Sequence, residues 1–108
     1  MGVVAVGLSH HTSPLALRER LHFPPETIPA ALRELQNRLH GGAAVILSTC
    51  NRVEIYAHHE KDAVALCDDI RAFIGCWHRI PDSEFVPSLY EHKGPEAVGH
   101  LFRVTASL

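Results

Sequence analysis

Two β-prone runs almost touch in the stretch "AAVILSTCNRVEIYAHH", and no other feature restricts the fold as much. Residues 43 to 49 form an apolar run that reads as a buried strand. Residues 53 to 58 alternate, with Val53, Ile55 and Ala57 on one face and Glu54, Tyr56 and His58 on the other, the pattern of a strand with one wet face. Only the stretch Thr49, Cys50, Asn51, Arg52 joins them, so the two strands must form an antiparallel hairpin. Asn51 suits the turn because it tolerates left-handed backbone angles.

The remaining elements arrange themselves around this hairpin. "VVAVGLS", residues 3 to 9, is a β-branched run closed by the polar cluster "HHTSP" and reads as a strand. Ser13 before Pro14 predicts a helix N-cap followed by proline at the first helical position. A short helix, "PLALRERL", comes next. After "FPPET" a second helix carries Ile28, Leu32, Leu35 and Leu39 on one stripe, and "HGG" at 40 to 42 ends it, glycine supplying the positive φ that helix ends favour. "DAVALCDDIRAFIGCW" is helical, with Asp62 as its cap. "RIPDSEFVP" reads as a loop, "SLYEH" as a weaker strand, and "GPEAVGHLFRVTASL" as a helix that runs to Leu108 without a stop signal, which predicts a longer chain. The order strand, helix, strand, strand, helix, strand, helix predicts an α+β fold of the ferredoxin-like split βαβ type (βαββαβ) with an added C-terminal helix. In that arrangement strands one and two run parallel with strand three between them. "SHHTSP" and "STCNR" then meet at one edge of the sheet.

Composition narrows the function. The 108 residues carry a formal net charge of -2, so unspecific electrostatic binding to nucleic acid or to an anionic membrane is not favoured, although a local basic patch is compatible with that total. Hydrophobic residues make up 46%, enough for a packed core. The three cysteines, Cys50, Cys67 and Cys76, are odd in number and include no C-x-x-C pair, which fits a reducing compartment. The N-terminus lacks the basic segment of a signal peptide, and "AAVIL" is too short to span a bilayer. A cytoplasmic protein is expected.

The hairpin tip also carries the chemistry. A thiol attacks an acyl carbon as thiolate, and a free cysteine with a pKa of roughly 8.5 is mostly protonated at neutral pH. Positive charge nearby favours the thiolate, and Arg52 is two residues from Cys50. Arg52 is equally suited to grip a carboxylate with two prongs, a geometry lysine cannot copy. Thr49 and Asn51 add hydrogen-bonding groups on either side. A plainer reading makes Cys50 a small apolar residue that finishes a strand. The C-x5-R spacing of a phosphate-cradling loop is not met. Cys67 lies on the apolar face of its helix and reads as core, and Cys76 as inert. His10–His11 and His58–His59 are adjacent pairs whose side chains would point to opposite faces, so no metal ligand set is expected. His100, alone in the apolar stretch "AVGHLF", is either a satisfied interface residue or a general acid or base. No G-x-G-x-x-G, P-loop or RNA-binding aromatic signature occurs, so no cofactor-binding residue is expected in the chain.

Taken in order, "GLSHHTSPLALRERLHF", "ILSTCNRVEIYA" and "HLFRVTASL" resemble the N-terminal region of glutamyl-tRNA reductases, and "STCNRVEIY" is the specific element. The resemblance implies an NADPH-dependent oxidoreductase that converts glutamyl-tRNA(Glu) to glutamate-1-semialdehyde through a cysteine thioester, the first step of tetrapyrrole (5-aminolevulinate) biosynthesis. It implies residues 1–93 as catalytic domain and 94–108 as the start of a helix leading to NADPH-binding and dimerisation domains. The family's nucleophile falls on Cys50, its glutamate-recognition stretch on Thr49, Cys50, Asn51 and Arg52, and a histidine important for activity on His100. Where the family often has Ser-Gly near the end of the last block, this chain has Ala106 and Ser107. Expected partners are glutamyl-tRNA(Glu), a second copy bound through the dimerisation domain, and the downstream glutamate-1-semialdehyde aminomutase. The rival class is a non-enzymatic ferredoxin-like module binding a small ligand or RNA.

Overall fold

The computed structural model describes residues 2–60 and 62–107. Strand β1 (Gly2–Ser9) leads into helix α1 (Leu15–Leu21). A 3-10 turn at Pro25–Thr27 precedes α2 (Ile28–Leu39), and the hairpin of β2 (Ala43–Ser48) and β3 (Arg52–His59) follows. Helix α3 (Ala63–His78), the one-turn α4 (Asp82–Phe85), β4 (Tyr90–Lys93) and α5 (Pro95–Ala106) complete the order. The sheet runs β2-β3-β1-β4, and every neighbouring pair is antiparallel. Strand β3 therefore lies between β1 and β2, as the hairpin and the strand–helix alternation require.

One face of the sheet carries Val4, Val6 and Leu8 of β1 with Val53, Ile55 and Ala57 of β3, packed under α1, α2 and α3. Phe23, Phe73 and Phe85 are fully buried there, each stabilising the fold by about 1.5–3 kcal/mol relative to exposure. Cys67 belongs to this core, as its helical face implied.

The second face departs from the sequence reading. Helix α5 lies across it, burying Ala97 against Ala5 and Tyr56, so two of the three β3 positions expected to be wet are covered, Glu54 at 0% and Tyr56 at 7% exposure, while His58 is exposed as expected. Strand β2, expected to be buried, is a sheet edge that α5 leaves uncovered. Only Ile46 is buried in it, and Val45 is 59% exposed.

Local details differ too. Ser13 does not cap α1. Pro14 holds that position, and the Ser13 hydroxyl donates to the Ser9 carbonyl at 2.8 Å. The left-handed residue ending α2 is His40 itself, with Gly41 and Gly42 also at positive φ. Asp62 caps α3 as expected, accepting the Ala65 N–H at 3.2 Å. The loop after α3 contains α4 and a 3-10 turn, formed because Phe85 turns into the core. The last position of the predicted C-terminal helix, Leu108, lies outside the described residues. Among the described residues no helix is long and apolar enough to cross a membrane.

Candidate active site

The β2–β3 turn is held by Thr49. Its N–H donates to the Arg52 carbonyl at 2.8 Å, and its hydroxyl accepts the N–H groups of Asn51 at 3.2 Å and Arg52 at 3.3 Å. A threonine hydroxyl bonded to backbone two and three residues ahead closes a turn without left-handed angles. Asn51 accordingly does not use the positive φ expected of it; among the described non-glycine residues only His40 and Arg79 have one. The arrangement leaves Cys50 exposed at the tip.

That tip is fastened to the end of β1, as the predicted strand order demanded. The His10 N–H donates to the Asn51 carbonyl at 2.8 Å. Arg18 of α1 donates through Nε to the Cys50 carbonyl at 3.2 Å and through Nη1 to the Ser13 carbonyl at 2.5 Å. A guanidinium thus joins the cysteine loop to the β1–α1 turn. Arg18 was not singled out in the sequence, because 32 residues separate it from Cys50. Next to Cys50, Leu15, Arg18, Glu19 and His22 line a cavity of about 300 Å³.

Arg52 points to the other face of the sheet. Its Nη1 lies 3.4 Å from Glu54 Oε2, and its side chain is 14% exposed. Glu54 is the hub of a polar cluster under α5. Tyr56 donates its hydroxyl to Oε1 at 2.8 Å, Tyr90 donates to Oε2, and His100 Nε2 lies 2.5 Å from Oε2. Burial alone would raise the Glu54 pKa, but the bonds from Tyr90, His100 and Tyr56 and the charge of His100 outweigh it and hold the carboxyl below the ordinary range. Burial and the same carboxylate push both tyrosines well above theirs. Around His100, the Tyr90 ring meets it edge-on at 5.3 Å and the His92 ring lies at 4.3 Å, while His92 Nδ1 lies 2.7 Å from Glu96 Oε1.

The backbone makes room for this hub at Gly7. In β1, Gly7 pairs with Glu54 on one side and Tyr90 on the other. A Cβ there would stand 2.4 Å from the Val53 carbonyl oxygen and 2.8 Å from Glu54 Cγ.

Of the residues singled out in the sequence, Cys50, Thr49 and Asn51 thus form the tip, while Arg52 and His100 meet through Glu54 on the α5 face. Glu54, Tyr56 and Tyr90 were missed. The available signal was the second face of β1: Val3, Ala5, Gly7 and Ser9 are small or apolar, which is a surface for packing and not for water. Among the described residues no group of three or more His, Cys, Asp or Glu is placed to hold a metal ion.

An exposed thiol on a loop tied down by the Arg18 guanidinium has the accessibility that a nucleophile needs. Residues 6–108 match the family described as "Glutamyl-tRNAGlu reductase, N-terminal domain", and the chain belongs to that family. It is 39% identical over all 108 residues to a glutamyl-tRNA reductase of Colwellia psychrerythraea, covering 26% of that protein. To a Shewanella halifaxensis relative of the same description it is 40% identical over its full length, covering 25%. The solved glutamyl-tRNA reductase from Methanopyrus kandleri superposes with a TM-score of 0.67 at 28% identity, over 94% of this chain and 21% of that one. The chain therefore spans about a quarter of the curated relatives it matches.

Proposed function

We propose that this chain is the acyl-accepting part of an NADPH-dependent glutamyl-tRNA reductase, an enzyme of tetrapyrrole formation, and that Cys50 is its nucleophile. The observation that carries the reading is the exposed Cys50 on a loop fastened by Arg18 and Thr49. The Cys50 thiolate attacks the carbonyl carbon of the aminoacyl ester, the bond from that carbon to the ribose oxygen breaks, and the ribose oxygen leaves as a hydroxyl after taking a proton. The product on the protein is a glutamyl thioester, which divides a difficult reduction into two easier stages.

In glutamyl-tRNA the α-carboxyl is esterified, so the side-chain carboxylate is the only free one. Arg52 is its partner in this reading. The single long contact from Nη1 to Glu54 orients the guanidinium while engaging only one of its nitrogens. His100, anchored through Nε2 by a carboxylate that is itself held by two tyrosines, is the candidate for proton movement near the acyl group.

These residues do not fit a nicotinamide dinucleotide. The β1–α1 turn from Ser9 to Pro14 has no glycine, and Gly41 and Gly42 follow the end of α2 instead of opening a helix. In this reading NADPH, a second copy of the chain and the downstream aminomutase are bound by parts of the relatives' length outside residues 1–108. The test is a mass spectrum of the chain after incubation with glutamyl-tRNA. A glutamyl adduct on Cys50, absent from Cys50→Ala, is the expected result; no adduct, or an equal one in the variant, overturns the assignment.

A further inference from the structure

An aminoacyl ester has two arms, and Cys50 stands between two faces of the sheet. Arg52 lies on the α5 face, bound to Glu54. The cavity of about 300 Å³ lies on the other side, against α1, whose Leu17 and Leu21 pack into the core under the opposite face. If the acyl arm turns toward Arg52, the ribose arm is directed toward α1. We propose that this cavity, lined by Leu15, Arg18, Glu19 and His22, receives the terminal ribonucleoside that leaves when Cys50 is acylated; the proposal rests on the reading of Cys50 as acyl acceptor.

The volume is at the lower end of the usual range for small-molecule pockets, roughly 300–1,000 Å³, which suits one nucleoside and not a longer stretch of RNA. The walls have the chemistry of a base and a sugar. Leu15 is 55% exposed on α1 beside Cys50, an apolar surface for the flat face of a base. Glu19 supplies an acceptor for ribose hydroxyls. Arg18 is held in place by two backbone carbonyls through Nε and Nη1, so it presents a fixed positive wall at little cost in side-chain entropy. His22 is anchored at Nδ1, 2.8 Å from Ser48 Oγ, and that oxygen also accepts the Phe23 N–H at 2.9 Å. This fixes the ring and leaves Nε2 for the nucleoside. Arg18 thus plays two parts, since the group that walls the cavity also fixes the nucleophile's loop.

The test compares two acyl donors in single-turnover acylation of Cys50, glutamyl-tRNA and glutamate α-ethyl ester, which carries the same acyl arm without a nucleoside. Leu15→Asp should slow acylation by glutamyl-tRNA roughly tenfold or more beyond its effect on the ethyl ester. Equal slowing with both donors overturns the proposal. In parallel, adenosine 5′-monophosphate should perturb the backbone NMR signals of Leu15, Arg18, Glu19 and His22. Perturbation confined to α5, or none at saturating concentration, also overturns it. Failure of the underlying reading looks different, because the unaltered chain would then form no Cys50 adduct with either donor.

Discussion

Glu54→Gln is the sharpest probe of the hub under α5. The substitution keeps the volume and removes the charge. The carboxylate accepts from Tyr56 and Tyr90 and faces His100 and Arg52. Hydrogen bonds to a charged group contribute about 1.5–3 kcal/mol each and neutral ones about 0.5–1.5. The tyrosine hydroxyls can rotate to accept from the new amide, so their bonds drop to the neutral class. His100 can accept only in one tautomer, and Arg52 cannot accept at all. Losing roughly 1 kcal/mol at each of the three short contacts, to Tyr56, Tyr90 and His100, and little at the 3.4 Å contact to Arg52, gives a destabilisation of about 3 kcal/mol at neutral pH. The pH dependence follows from the direction of the Glu54 shift. Its folded pKa is lowered, so its contribution is fully present above the unfolded value of about 4.3 and is lost as pH falls through the folded value. The gap between parent and variant in urea unfolding should therefore be constant from neutral pH down to about 4.3 and close below it. A variant within about 0.5 kcal/mol of the parent at pH 7, the range of an ordinary surface change, would refute the claim that the ionised carboxylate organises this face.

Gly7→Ala should lower the melting temperature by an amount at or above the upper end of the roughly 1–3 kcal/mol expected for overpacking, because the new methyl meets a backbone carbonyl that cannot yield; an unchanged melt would show that the sheet relaxes freely there. Arg52→Lys should reduce kcat/KM of a full-length enzyme carrying this domain for glutamyl-tRNA on the order of a hundredfold, since lysine lacks the planar fork; equal turnover would end the case for two-pronged carboxylate recognition. His78 packs edge-on against Phe23 at 4.6 Å, and burial together with the charge of His22 pushes its pKa down to about 4. The unfolded chain, with histidine near 6.5, takes up that proton first, so stability should fall with a slope of up to about 1.4 kcal/mol per pH unit between 6.5 and 4. His78→Phe should flatten that slope, and an unchanged slope would place its origin elsewhere.

The local alphabet of the fold was legible in the sequence because it depends on neighbours in the chain. The hairpin followed from two β-runs four residues apart, and the helix stripes from apolar spacing. The position of β3 between β1 and β2, and with it the meeting of "SHHTSP" and "STCNR", followed from the alternation of elements. The exposure of Cys50 followed from its place at the hairpin tip. What the chain order could not show is which surfaces face each other across the sheet. The alternation in β3 separates its two faces, but it does not say whether water or a helix covers the second one. That depended on α5 folding back over Ala5 and Tyr56, and it turned Glu54 from an apparent surface residue into a fully buried carboxylate. Arg18 was hidden for the same reason, as 32 residues separate it from the carbonyl it holds. Residue type and short-range spacing are written along the chain, whereas a polar hub or a braced loop exists only where elements distant in sequence close on one another and exclude water.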